Sequence, residues 1–165
     1  METTQILNLA HQTGQRLHEK SLTFSAAESC TGGLLLSTLT DVPGSSAYVM
    51  GGVVSYSNDA KMQLLQVQDS TLIAYGAVSE ECAREMVIGA QRLFRTDIAI
   101  SVTGIAGPGG GTAEKPVGLV YTGIKVGDND AEVVKSIWEG DRSGNKWHSV
   151  ANALQMILDA LSVSD

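Results

Sequence analysis

Two hydrophobic periods alternate along the chain. Ile6, Leu7, Ala10, Gly14 and Leu17 recur at helical spacing, and Thr3 or Thr4 is placed to cap the start. The run Leu22 to Ala27 reads as a strand. Glu28-Ser29-Cys30-Thr31-Gly32-Gly33 and then Leu34-Leu35-Leu36 form a strand-to-helix turn with small residues at the bend. Asp41 to Ser46 is a loop by its turn chemistry. Tyr48 to Tyr56 is rich in β-formers, and Gly51-Gly52 inside it predicts a bulge or close packing.

Short helices are predicted at Asn58 to Leu65 and Ser70 to Tyr75. Ser79 is placed as an N-cap, with Glu80 and Glu81 favoured by the helix dipole. Ala83, Met86, Val87, Ala90, Leu93 and Phe94 then form one apolar stripe. Asp97 to Val102, apolar and small on both faces, reads as a central strand. Thr103 to Thr112 is a Gly/Pro loop. Val117 to Val126 and Ala131 to Trp138 read as a strand pair joined by Gly127-Asp128-Asn129. Trp147, Val150, Ala151, Leu154, Ile157, Leu158 and Leu161 make a last amphipathic helix. Helices and strands mostly alternate, with one late hairpin. The expectation is an α/β fold: a three-layer α/β/α sandwich on a mixed, mostly parallel sheet. No linker divides the chain, so residues 1–165 are read as one domain.

Composition narrows the function. A net charge of −7 argues against binding nucleic acid by broad phosphate neutralisation, yet permits a small phosphorylated ligand held by one or two local cations. The chain has 18 glycines, about 11% against a usual ~7%, which points to close backbone approach to another element or to a ligand. Cys30 and Cys82 cannot make a disulfide-rich scaffold and read as reduced, buried thiols. No apolar run approaches a membrane span and the amino terminus does not read as a signal peptide, so no membrane contact and a cytoplasmic location are expected. No His/Asp/Glu cluster has ligand spacing; neither metal nor cofactor is expected.

In a sheet of this kind ligands bind past the carboxyl ends of strands. Three loops meet that condition: Glu28 to Gly33, Ser55 to Lys61, and Thr103 to Gly111. The glycine loop has neither P-loop nor dinucleotide spacing, because Gly110 and Thr112 stand where Lys and Gly are needed. It reads either as a wall of backbone N–H groups around an anion or amide, or as a plain crossover loop. Ser29 at its bend is a nucleophile beside helix N–H groups, or an ordinary helix cap. His11, His18 and His148 lie on the first and last helices and read as helix-face residues. That leaves Lys61, which acts as a base only if its pKa falls by about 3 units from ~10.4; otherwise it is a solvated surface lysine. Ser143-Gly-Asn-Lys146 matches a Ser-x-x-Lys pattern but lacks the partner motifs of penicillin-recognising enzymes, so it is set aside. Arg142, a cation at a helix start, reads as a phosphate clamp or as a surface partner of Asp141.

These weak signals align with a family. Ala27-Glu28-Ser29-Cys30-Thr31-Gly32-Gly33, Gly44-Ser45-Ser46, Ser55-Tyr56-Ser57-Asn58-Asp59-Ala60-Lys61, Gly76-Ala77-Val78-Ser79-Glu80, Ser101-Val102-Thr103-Gly104-Ile105-Ala106-Gly107-Pro108-Gly109-Gly110 and Lys115-Pro116-Val117-Gly118 occur in this order. Together they resemble the CinA carboxy-terminal domain family, which includes nicotinamide-nucleotide amidohydrolases, over roughly residues 5 to 160. The resemblance implies a three-layer α/β/α domain and hydrolysis of the carboxamide of nicotinamide mononucleotide (NMN) to nicotinic acid mononucleotide and ammonia, in pyridine-nucleotide recycling. It further implies Ser29 as nucleophile and Lys61 as base, with Tyr56 and Ser46 positioning the amide or relaying the proton. Thr103, Gly104, Ala106, Gly107 and Gly109, with Glu28, Cys30, Thr31, Gly32, Gly44 and Asn58, are the implied substrate-binding positions, and Arg142 the implied phosphate contact. A homodimer is implied as well. The competing expectation is a non-catalytic nucleotide-binding or interaction module, which NMN stabilises without ammonia release.

Overall fold

The alternation of periods 3.6 and 2 is realised as six α-helices and a five-stranded sheet in a computed structural model that describes residues 3–162, with side chains from residue 4 onward. The order is α1 (Thr3–Glu19), β1 (Phe24–Glu28), α2 (Leu34–Thr40), β2 (Val49–Val54), α3 (Asn58–Leu65), α4 (Asp69–Tyr75), α5 (Glu80–Phe94), β3 (Ile98–Gly104), β4 (Leu119–Val126), β5 (Glu132–Ile137) and α6 (Arg142–Ser162). Thr4 sits inside α1 rather than at its cap, and the Thr3 side chain lies outside the described residues. Ser79 does cap α5, its Oγ accepting the Cys82 N–H at 3.2 Å.

The strand order is β2-β1-β3-β4-β5. β1 pairs parallel with both β2 and β3, while β4 runs antiparallel to β3 and β5 antiparallel to β4. Every strand except β4 therefore points the same way, so the sheet is mixed and mostly parallel. Side-chain alternation on β1 divides the core. Phe24 and Ala26 join the cluster built with Ile6, Leu17, Leu35, Leu39 and Leu154 of α1, α2 and α6. Ala27 joins Leu65, Leu72, Met86 and Val87 on the α3–α5 side. That is the three-layer sandwich, with a helical layer on each face.

The glycine surplus serves two purposes. Some of it lets layers approach: a Cβ on Gly89 of α5 would collide with the Leu65 carbonyl, and one on Gly52 would meet the Ala26 carbonyl oxygen at 2.8 Å. The pairing of β1 with β2 shifts register between Phe24 and Ser25, so the Gly51-Gly52 segment shows both the irregularity and the close packing expected of it. One stripe position departs from expectation. Leu93 is exposed, because the buried face of α5 runs through Cys82, Ala83, Met86, Val87, Gly89 and Ala90 and has rotated past it by the last turn.

Candidate active site

β1 ends at Glu28, and the two residues at its carboxyl end face opposite layers. The Glu28 side chain is wholly buried, and its carboxylate accepts the N–H groups of Gly33 (3.0 Å), Leu35 (3.1 Å) and Leu36 (2.9 Å) at the start of α2. A carboxylate there is favoured by both charge and the unpaired first-turn donors. This cap lets Glu28 position the bend, and the residue does not line the Ser29 cavity where a substrate contact was expected of it.

Ser29 is anchored by its own N–H, which donates to Val102 of β3 at 2.9 Å. Gly32 and Gly33 turn the chain away at φ 64° and 94°, values that L side chains rarely adopt. Ser29 is thus held at the mouth of a tight bend, with 8% of its surface exposed.

Lys61 approaches from α3, which begins at the Ser57 cap, whose Oγ accepts the Ala60 N–H at 3.1 Å. The lysine is 1% exposed, so the solvated-surface alternative is excluded. Its Nζ lies 3.1 Å from Ser29 Oγ, 2.8 Å from the Ser55 carbonyl oxygen and 3.5 Å from that of Tyr56. No carboxylate pairs with it among the described residues, and burial pulls its pKa below the ordinary lysine value, while the Cys82 and Cys30 thiols oppose the shift. An ammonium here donates to three oxygens. After loss of one proton, the two remaining N–H bonds serve the two carbonyls and the lone pair faces the Ser29 hydroxyl. This is base geometry set by backbone. Cys30, next in sequence, is no rival nucleophile: burial pushes its thiol up to about 11, so it stays protonated near neutral pH.

Ser29, Cys30, Tyr56, Lys61, Ala77, Val78, Thr103, Gly104, Ile105, Ala106, Gly107, Gly109, Gly110 and Arg142 enclose a cavity of about 280 Å³. The backbone amides of Ala106, Gly107, Gly109 and Gly110 have no hydrogen-bond partner among the described residues, and so can serve a ligand. Thr103 holds the wall in place, its hydroxyl donating to the Ala77 carbonyl at 2.8 Å. Among the described residues Arg142 is paired with neither Asp141 nor any other carboxylate. Its guanidinium donates to the Gly107 carbonyl (2.7 Å) and the Tyr56 hydroxyl (3.1 Å), joining two cavity walls at the rim. Tyr56 is therefore engaged by Arg142, and its phenol has no bond to Ser29 or Lys61 through which to relay a proton.

Two expected positions lie elsewhere. Gly44 and Ser46 belong to the exposed segment ahead of β2, at the amino end of a strand parallel to β1. The six residues of β2 separate them from the cavity by roughly 20 Å at ~3.3 Å per residue. Within this chain neither can touch a ligand at Ser29. Asn58 is exposed at the start of α3 and does not line the cavity, and Thr31 is buried beneath the bend. Gly32 lies at the bend itself. His11 and His18 are exposed on α1, and His148 stacks on Trp138. Among the described residues no group of three or more His, Cys, Asp or Glu could hold a metal.

The sequence reading missed Asn145, which is 1% exposed. Its amide donates to Ala106 (3.0 Å) and Gly140 (2.9 Å) and accepts the Gly140 N–H, latching the glycine loop to the start of α6. Its sequence cue is slight: a polar residue just ahead of an apolar stripe.

Comparison with known proteins agrees with this architecture. Residues 6–161 match the CinA C-terminal domain. A CinA-like protein of Fusobacterium nucleatum is 54% identical over 146 residues, and a putative competence-damage inducible protein of Halothermothrix orenii 45% over 157. These cover 88% and 95% of this chain but 35% and 38% of the relatives, so the chain spans little more than a third of their length. The crystal structure of the competence/damage inducible protein CihA from Agrobacterium tumefaciens superposes with a TM-score of 0.91 at 43% identity, covering 95% of both chains. The competence damage-inducible protein A of Klebsiella pneumoniae gives 0.92 at 34%, covering 95% of this chain and 97% of that one. With a domain match across nearly its whole length and relatives of this identity, the chain belongs to the CinA C-terminal domain family.

Proposed function

We propose that this chain is a Ser–Lys amidohydrolase that cleaves the carboxamide of NMN, acting in the cytoplasm as a homodimer in pyridine-nucleotide recycling. The observation that carries the reading is the buried Lys61 amine 3.1 Å from Ser29 Oγ with no carboxylate to hold its proton. In the first half-reaction the Ser29 hydroxyl gives its proton to neutral Lys61 as Oγ bonds to the amide carbon. The oxyanion meets backbone N–H groups of the bend and the glycine loop. The Lys61 ammonium then protonates the amide nitrogen, the C–N bond breaks and ammonia leaves an acyl-Ser29 ester. In the second half-reaction water gives a proton to Lys61 and attacks the ester. Ser29 recovers that proton as the carboxylic acid departs.

The test is ammonia release from NMN by the purified chain, with nicotinamide and its riboside as controls. Ser29→Ala is expected to lower turnover by roughly 10³-fold or more. Near-normal activity of that variant would sink the mechanism. Thermal stabilisation by NMN without ammonia would instead favour a non-catalytic nucleotide-binding module.

A further inference from the structure

Beside the Ser29 cavity lies a second, larger concavity of about 730 Å³, bordered by Ala106, Pro108, Val117, Gly140, Asp141, Arg142, Ser143 and Lys146. Ala106 and Arg142 border both, so the two adjoin. The cations here differ in how they are used. Arg142 already donates to Gly107 and Tyr56. Lys146, one turn further along α6, makes no hydrogen bond or ion pair among the described residues. Its ammonium lies over the nucleophile's bend: a Cβ built on Gly32 would meet Lys146 Nζ at 3.9 Å, and the same charge is felt by the Cys30 thiol. The carboxylate on this wall, Asp141, is turned to the backbone, with Oδ1 accepting the Gly144 N–H at 2.7 Å. A chain of net charge −7 thus sets two cations on the larger depression, Arg142 where it adjoins the Ser29 cavity and Lys146 with its ammonium uncommitted among the described residues.

We propose that Lys146 is a specificity-determining residue that binds the phosphate of a pentose 5-phosphate seated in the larger concavity, with the amide-bearing ring directed to Ser29. An ammonium is a compact donor that follows a phosphate without demanding planar geometry, while the half-committed guanidinium of Arg142 supplies a second contact. Pro108, Val117 and Ala106 supply the apolar wall for the sugar. The pairing of Ser143 with Lys146, set aside as a catalytic motif, acquires a different sense: both side chains border the same binding surface.

The substrate orientation rests on the amidohydrolase reading, whereas the anion site does not, so the experiment has two arms. In the first, Lys146→Met is expected to raise KM for NMN at least tenfold with kcat within about threefold, reducing the kcat/KM preference for NMN over nicotinamide riboside by the same factor, and Lys146→Arg is expected to restore most of it. In the second, calorimetry is expected to show ribose 5-phosphate binding to the unaltered chain, at least tenfold weaker binding to Lys146→Met, and no binding of ribose. Equal binding by the two proteins, or none by the unaltered chain, overturns the proposal. Lysine-dependent binding of ribose 5-phosphate together with no ammonia from NMN leaves the anion site standing and removes the amidohydrolase reading. Circular dichroism of each variant establishes that it is folded.

Discussion

Gly33 and Gly44 have nearly the same backbone, at φ 94°, ψ 1° and φ 85°, ψ 3°, and each starts a short helical segment with no side chain of its own to cap it. Each also stands near serines in a small-residue run. What surrounds them differs. At Gly33 the N–H is held by Glu28, and β1 behind the bend aims Ser29 at a lysine from another helix. Around Gly44 a Cβ would meet nothing within 4 Å. One bend occupies the carboxyl edge of the sheet and the other the amino edge. A Gly/Ser turn is therefore chemically silent by itself, and topology decides which turn acquires a base.

The strongest challenge to this contrast is removal of the base. Lys61→Met is expected to lower turnover by roughly 10³-fold, and Lys61→Arg to fail to rescue it, since a guanidinium stays protonated and cannot accept the serine proton. Because the base must be neutral and burial lowers its pKa, kcat/KM is expected to rise with pH through that lowered value and to level off below the ordinary lysine value of ~10.4. A rise that continued to ~10.4 would show a solvated amine. Next comes the scaffold of the bend. Glu28→Gln weakens the cap on Gly33, Leu35 and Leu36, with an expected loss of roughly 2–3 kcal/mol and a fall in Tm of roughly 5–10 °C by thermal unfolding. Smallest is the silent turn. Ser46→Ala is expected to change stability by about 0.5 kcal/mol or less and turnover by about twofold or less. A large loss of activity there would break the comparison, because it would require the amino edge of a second copy to reach Ser29.

Local pattern made much of the fold legible. α3 spans the expected Asn58 to Leu65, and the late hairpin of β4 and β5 falls where a turn separates two apolar runs. Ser29 and Lys61 were legible as residue types in loops past strand ends. Their pairing was not, because it depends on two elements meeting 32 positions apart. Glu28 illustrates the limit most directly. As a carboxylate between an apolar strand and a candidate serine it looks like a ligand contact, yet strand alternation turns it toward the other layer. Leu93 fails for a similar reason, since a stripe drawn at 3.6 residues does not show where a helix leaves the sheet. Asn145 was illegible because it bonds a loop 39 residues earlier.

Glu28 and Ser29 are neighbours with opposite obligations, one locked into α2 and the other facing α3. For anyone redesigning this scaffold, the pair behaves as a single part. Grafting the serine into another strand end without the glutamate would import a hydroxyl with no fixed aim, while editing the first turn of α2 would shift the Ser29 hydroxyl from behind the sheet, at positions outside the cavity lining.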